Sequence, residues 1–285
     1  MLQNSFQHIP GIGRRTENRL WDMGLTHWQS VTPQNPYQLS PKIHAAMGVH
    51  IEASLKHLAN NNPGYFADLL PVQEHWRFFP EFRTSTAFID IETTGMSMWE
   101  MEITTIALYD GKTVRCYIQG QNLDQFLDDI QDYTVMVTYN GKCFDVPFME
   151  RYFRTKLTHA HIDLRYVLRR LGYTGGLKRC EKALGLDRGD LDGVDGYFAV
   201  LLWGDYLETH NEKALETLLA YNIEDVLKLE ELMVLAYNLN LQDTPFHETH
   251  TLPQPILPAP PFRPHGETIR RIRRKMFSTG AFPPW

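Results

Sequence analysis

One short run constrains the fold more than any other part of the chain: Thr86-Ala-Phe-Ile-Asp-Ile-Glu92. It is apolar and β-branched, as a buried strand requires, yet it carries two carboxylates, Asp90 and Glu92. Side chains at i and i+2 leave the same face of a strand, so the two acids project together. Paired carboxylates at the end of an apolar strand repel each other and lose hydration unless something cationic sits between them. Mg²⁺ or Mn²⁺ meets that need, because hard cations take several oxygen ligands. For the pair alone, a solvent-exposed Asp-x-Glu at a strand end is the plainer account.

The segments around this strand set the fold class. Residues 102–110 and 113–119 read as two further strands, divided by the tight-turn signal Asp110-Gly111-Lys112. Residues 122–130 have helical spacing of Leu123, Phe126, Leu127 and Ile130, and 134–140 form another buried strand. Helical stretches follow at 146–155, 163–171, 177–184, 196–207 and from about 211 to 237. Three leading strands, then strands alternating with helices, predict an α/β domain with a mixed sheet. We divide the chain into a helical region at 1–80, a main domain at 84–240, and a tail at 241–285. In the tail, 252–264 is too proline-rich for helix or sheet and reads as a linker or a surface strap.

Two more acids follow the strand pair. Asp145 lies in Tyr139-Asn140-Gly141-Lys142-Cys143-Phe144-Asp145-Val146-Pro147-Phe148, where a helix cap explains it better when it is read alone. Tyr221 and Asp225 are i and i+4 on the long helix and share one face. Leu218, Val226 and Leu229 give that helix its apolar side, so Asp225 falls near the core boundary.

Taken in order, FIDIETTG (88–95), YNGKCFDVPF (139–148) and the Tyr-x-x-x-Asp of 221–225 resemble the DEDD exonuclease superfamily in its tyrosine branch. The histidine branch would show His-x-x-x-x-Asp, and position 220 is Ala. HIDLRYVLRR (161–170), GLKRCEKALGL (176–186) and DGYFAVLLWGDY (195–206) are similar to predicted bacterial RNase H-like domains of the YprB type. The resemblance implies an RNase H-like mixed five-stranded sheet, three antiparallel strands then parallel ones, flanked by helices. It also implies a 3′→5′ exonuclease acting on DNA or RNA with two divalent ions, Mg²⁺ or Mn²⁺, about 4 Å apart. Carried over, Asp90 bridges both ions, Glu92 and Asp225 complete one site, and Asp145 supports the other. Tyr221 orients the attacking water; with an ordinary pKa near 10 it is a poor base by itself. Thr93 and Asn140 are candidates for touching the terminal nucleotide and the backbone, although turn formation explains both equally well. Helix capping accounts for Asp163 and Asp195, and structural roles for His159 and His161.

Near the N-terminus, His8-Ile-Pro-Gly-Ile-Gly-Arg-Arg15 resembles a helix-hairpin-helix element. Gly11, Ile12 and Gly13 form the turn, amides at the next helix start can hold a phosphate, and Arg14 and Arg15 add charge. Leu20, Trp21, Leu25 and Trp28 are its expected core. A purely structural hairpin is the alternative.

Composition adds exclusions. No apolar run spans a membrane, and the start lacks a signal peptide. Three scattered cysteines fit neither a disulfide framework nor a zinc site, pointing to the cytoplasm. The net charge of −6 counts carboxylates that a metal would neutralise, and six basic residues cluster between Arg263 and Lys275 against Glu267 alone, so charge does not decide the partner. The expected partner is nucleic acid with a single-stranded 3′ end, without an organic cofactor. The rival reading is a catalytically silent RNase H-like adaptor, which intact acids disfavour. An endonuclease or transposase-like enzyme predicts a different third acid. Proofreading within the same chain is not expected, since 285 residues hold no polymerase region.

Overall fold

A computed structural model describes residues 1–95, 102–186 and 195–279. The end of the predicted tail, 280–285, lies outside them. The N-terminal region is helical: α1 (Arg14–Asp22), α2 (Pro41–Ala59), α3 (Gly64–Leu69) and α4 (Phe79–Phe82), joined by turns and short 3₁₀ segments. β1 (Thr86–Thr93), β2 (Ile103–Tyr109) and β3 (Val114–Ile118) then form a meander. After α5 (Phe126–Asp129) come β4 (Val135–Thr138), α6 (Asp145–Phe153) and β5 (Ala160–Asp163). The chain continues through α7 (Leu164–Arg170), α8 (Leu177–Ala183), α9 (Gly196–Thr209), α10 (Glu212–Leu241) and α11 (Gly266–Thr279).

The five strands order as β3-β2-β1-β4-β5, with β1, β2 and β3 antiparallel and β4 and β5 parallel to β1. This is the mixed sheet that the strand order implied. Alternation along β1 decides where the acids go. Ala87, Ile89 and Ile91 face a cluster that includes Phe126, Phe148 and Met149 of α5 and α6. Phe88 faces the opposite cluster, built on α7 and α10. Asp90 and Glu92 share the parity of Phe88, so they project toward α10. A β-bulge between Glu92 and Thr93 ends the regular pairing with β2 directly beside them.

Four details differ from the sequence reading. β4 ends at Thr138, because Tyr139 and Asn140 already turn, Asn140 with φ 67°. Residues 122–130 form 3₁₀ turns around a single turn of α-helix. His161 and Asp163 belong to β5, a strand too short to announce itself by periodicity. The basic stretch after the prolines folds as α11, an amphipathic helix whose Ile269 and Ile272 are buried against α9 and α10.

The proline-rich stretch is a strap, as one reading of it held. Asn238 of α10 exchanges hydrogen bonds with the Leu252 backbone in both directions (2.8 and 2.9 Å), and the His265 amide donates to Thr217 Oγ1 (3.0 Å). The strap thus returns the chain along α10, from near its end to four residues before Tyr221. Leu20, Trp21, Leu25 and Trp28 are buried, in one continuous cluster with Phe78, Phe82 and the apolar side of α10.

Candidate active site

β1 and α10 meet over the acids. Asp90, Glu92 and Asp225 each bring a carboxylate oxygen within 4.8 Å of the others. Glu92 and Asp225 are buried, while Asp90 keeps part of its surface open to a cleft of about 430 Å³. Burial, then the nearby Asp225 and Glu92 charges, push the Asp90 carboxyl well above the ordinary range. Glu92 is raised by burial and Asp225, opposed by the Lys178 ammonium. Three crowded, desolvated carboxylates are a donor set that a hard divalent cation satisfies.

Asp145 lies at the same cleft but outside that trio. It is the first helical residue of α6, where Phe144 occupies the cap position without a side-chain cap bond. The N-cap account of Asp145 therefore fails: its carboxyl is buried, receives a hydrogen bond from the Ile91 backbone, and is pushed up to about 7, chiefly by burial. Tyr221 is also buried at the cleft, and the Lys178 Nζ of α8 stands 4.7 Å from its ring centre.

Asn222 is a site residue that the sequence reading passed over. Its amide nitrogen donates to Asp90 Oδ2 (2.8 Å) and to the Asp90 carbonyl (3.3 Å), and its oxygen accepts from Thr105 Oγ1 (3.1 Å). Donating and accepting at once fixes the amide orientation and, with it, one Asp90 oxygen. A signal for it exists: Asn222 interrupts the apolar stripe Leu218, Val226, Leu229, where an unpartnered polar group would be costly. Lys178 had no such signal, since its place over Tyr221 depends on how α8 packs.

The loop after β4 is built from within. The Asp163 carboxylate accepts the amides of Asn140 (2.8 Å), Lys142 (3.0 Å) and Arg165 (3.0 Å), so it caps α7 as expected and also holds the loop. The Gly141 amide donates to Thr138 Oγ1 (3.1 Å), which also meets His161 Nε2 (2.8 Å). A Cβ at Gly141 would fall 2.2 Å from that oxygen, so glycine is required there by close approach. The Asn140 carboxamide oxygen accepts from Arg165, and Asn140 itself lines the cleft. His159 meets the Ile130 carbonyl (3.0 Å); both histidines thus have structural bonds. Asp195 caps α9 through the Phe198 amide (2.9 Å), yet also lines the cleft. Thr93 is buried at the cleft, its hydroxyl donating to the Gly95 carbonyl (3.2 Å).

The N-terminal hairpin lies apart from this cleft. Gly11, Ile12 and Gly13 line a different concavity of about 400 Å³ together with Leu69. Gly11 has φ +89° and Gly13 precedes α1, as the turn requires, but only a three-residue 3₁₀ segment (Leu2–Asn4) stands where a first helix would be. Arg14 pairs with Asp243 (2.7 Å), and Arg15 is exposed.

A family model described as RNase_H superfamily matches residues 87–237, which contain all five of these groups: Asp90, Glu92, Asp145, Tyr221 and Asp225. No curated protein matches the chain. Among solved structures, the family B DNA polymerase from the hyperthermophilic archaeon Pyrobaculum calidifontis aligns at 14% identity and TM-score 0.44, over 59% of this chain and 27% of that one. Brucella melitensis NrnC aligns at 17% identity and TM-score 0.39, and NrnC with bound Mg²⁺ at 18% and 0.37; each match covers 58% of this chain and 78% of that one.

Proposed function

The chain belongs to the RNase_H superfamily, and from that premise we propose that it is a metal-dependent 3′→5′ exonuclease of the tyrosine DEDD type, releasing nucleoside monophosphates from DNA or RNA. The observation that carries this reading is the trio Asp90, Glu92 and Asp225, its oxygens gathered within 4.8 Å at a cleft shared with Asp145 and Tyr221. Asp90, Glu92 and Asp225 would hold one divalent ion, and Asp90 with Asp145 a second. Bound there, such ions supply an activated water and charge stabilisation at the leaving oxygen.

The chain's own groups do the rest. Asn222 holds one Asp90 oxygen and leaves the other to face the cleft. Tyr221 orients water through its hydroxyl. Lys178 balances part of the carboxylate charge from the α8 side, where it also packs on the Tyr221 ring. Thr93 and Asn140 flank the terminal nucleotide. The Gly11–Arg15 turn is a second, weaker backbone contact in this reading, with Arg15 its freest cation.

The test is metal-dependent shortening of 5′-labelled single-stranded DNA and RNA. Chelated protein should be inactive, Mg²⁺ or Mn²⁺ should restore a ladder that recedes from the 3′ end, and Asp90→Ala should abolish it. Degradation that persists in Asp90→Ala would refute the proposal.

A further inference from the structure

α11 joins a strongly basic surface to the catalytic cleft. The strap delivers this helix to the catalytic end of α10, where the His265 amide is fixed to Thr217. α11 then packs on α9, whose first residues, Gly196 and Tyr197, line the acidic cleft. Arg271 grips Asp205 with two hydrogen bonds (2.6 and 2.5 Å), and Lys275 reaches Glu208 (3.4 Å). Those pairs neutralise the two acids of α9 that face the helix. Arg273 lies with its guanidinium 5.9 Å from the Phe198 ring centre, close to the cleft end of α9.

That leaves a surplus. Arg270 and Arg274 are exposed, and among the described residues neither meets a carboxylate at ion-pair distance. With Arg273 they set three guanidinium groups against one acid on the same helix, Glu267. Between α9 and α11 runs a groove of about 300 Å³ with an apolar floor that includes Leu201, Ile272 and Met276. Val200 lines both this groove and the catalytic cleft, so the two are adjoining parts of one surface.

A cationic rim on an apolar floor, continuous with a site for phosphodiester chemistry, matches a single nucleic-acid strand, which presents charged phosphates and apolar base faces together. A lipid surface fits less well: Ile269 and Ile272, the apolar side of this basic helix, are already buried in the protein.

We propose that α11 is the second wall of the substrate channel, with Arg270, Arg273 and Arg274 holding backbone phosphates of the strand upstream of the 3′ end that occupies the cleft. The orientation of the strand rests on the exonuclease reading; the binding of a strand by α11 does not. Because such contacts act on backbone charge, they add affinity without sequence preference.

The experiment compares the full-length protein with the R270Q/R273Q/R274Q variant and with R270K/R273K/R274K. Binding of a long fluorescent single-stranded oligonucleotide is followed by anisotropy across a salt series with Ca²⁺, alongside hydrolysis of the oligonucleotide and of the p-nitrophenyl ester of thymidine 5′-monophosphate with Mn²⁺. For the glutamine variant we expect the log–log salt dependence of binding to flatten by about 2, and affinity at low salt to fall about tenfold or more. KM for the oligonucleotide should rise with kcat little changed, ester hydrolysis should be unaltered, and the lysine variant should retain most of the binding. Unchanged affinity and salt dependence would overturn the proposal, and so would a parallel loss of ester hydrolysis. A parent protein that binds with the predicted salt dependence yet cleaves neither substrate would refute the exonuclease reading and leave the α11 surface standing.

Discussion

Asn222 ties the bridging candidate Asp90 to α10, and its other bond to Thr105 prevents the amide from turning. Groups that orient a metal-binding carboxylate commonly change affinity or activity by about 10–100-fold when removed. Asn222→Ala should therefore lower exonuclease kcat within about that range while the protein stays folded, with more Mn²⁺ needed for half-maximal rate; an unaltered Mn²⁺ requirement would count against this role. Asp145 brings a pH dependence. Its carboxyl is raised from 3.8 to about 7, so between those values the folded chain holds a proton that the unfolded chain has released. Stability of the chelated protein should then fall as pH rises across that window, because the unfolded state binds fewer protons. Melting curves should show the fall in the parent and a shallower one in Asp145→Asn. Added Mn²⁺ should stabilise more on the alkaline side, since binding requires ionised ligands. Residue by residue, the acids were legible as types and spacing, but their individual roles were not. Asp145 looked like a cap because Asp before Val-Pro usually is one; only the packing of α6 on β1 shows it buried against Ile91. Lys178 acts across elements, and nothing local announces it.

At the scale of elements, the strand pairings were readable because β1, β2 and β4 alternate or run apolar over several residues, and the helices because their apolar spacing persists. Shorter pieces escaped. β5 has four residues, too few for a period, and α11 was obscured by the prolines before it and by its own charge. The β4–α6 loop shows why an element can tolerate little change even outside the acids. Adding a methyl at Gly141 drives it into Thr138, which also holds His161. Gly141→Ala should destabilise the protein by about 1–3 kcal/mol, as overpacking does. Chemical denaturation reads this directly, and a change below about 0.5 kcal/mol, the scale of an ordinary surface substitution, would mean that the loop relaxes freely.

Across the whole molecule, the N-terminal helices and the nuclease-like sheet share one buried cluster, and a buried ion network crosses between them. Arg77 bonds Glu74 (2.6 Å) and Glu17 (2.9 Å), all three almost fully shielded from solvent, while Glu17 also accepts the Phe6 amide (2.7 Å) and Arg170 reaches Glu74 (3.1 Å). Removing one member of such a network leaves uncompensated buried charge. Arg77→Ala should cost about 3–5 kcal/mol, and thermal unfolding followed by far-ultraviolet circular dichroism will register it; a loss under about 1 kcal/mol would show that water replaces the guanidinium.

The central claim is that the acids gathered by β1, α6 and α10 cut nucleic acid from a free 3′ end. A mixture of linear and circular single-stranded DNA of the same sequence, incubated with the protein and Mn²⁺, tests it most directly. The linear strand should disappear with release of nucleoside monophosphates, the circle should persist, and Asp90→Ala should leave both intact. Cleavage of the circle, or loss of the linear strand in Asp90→Ala, would contradict it.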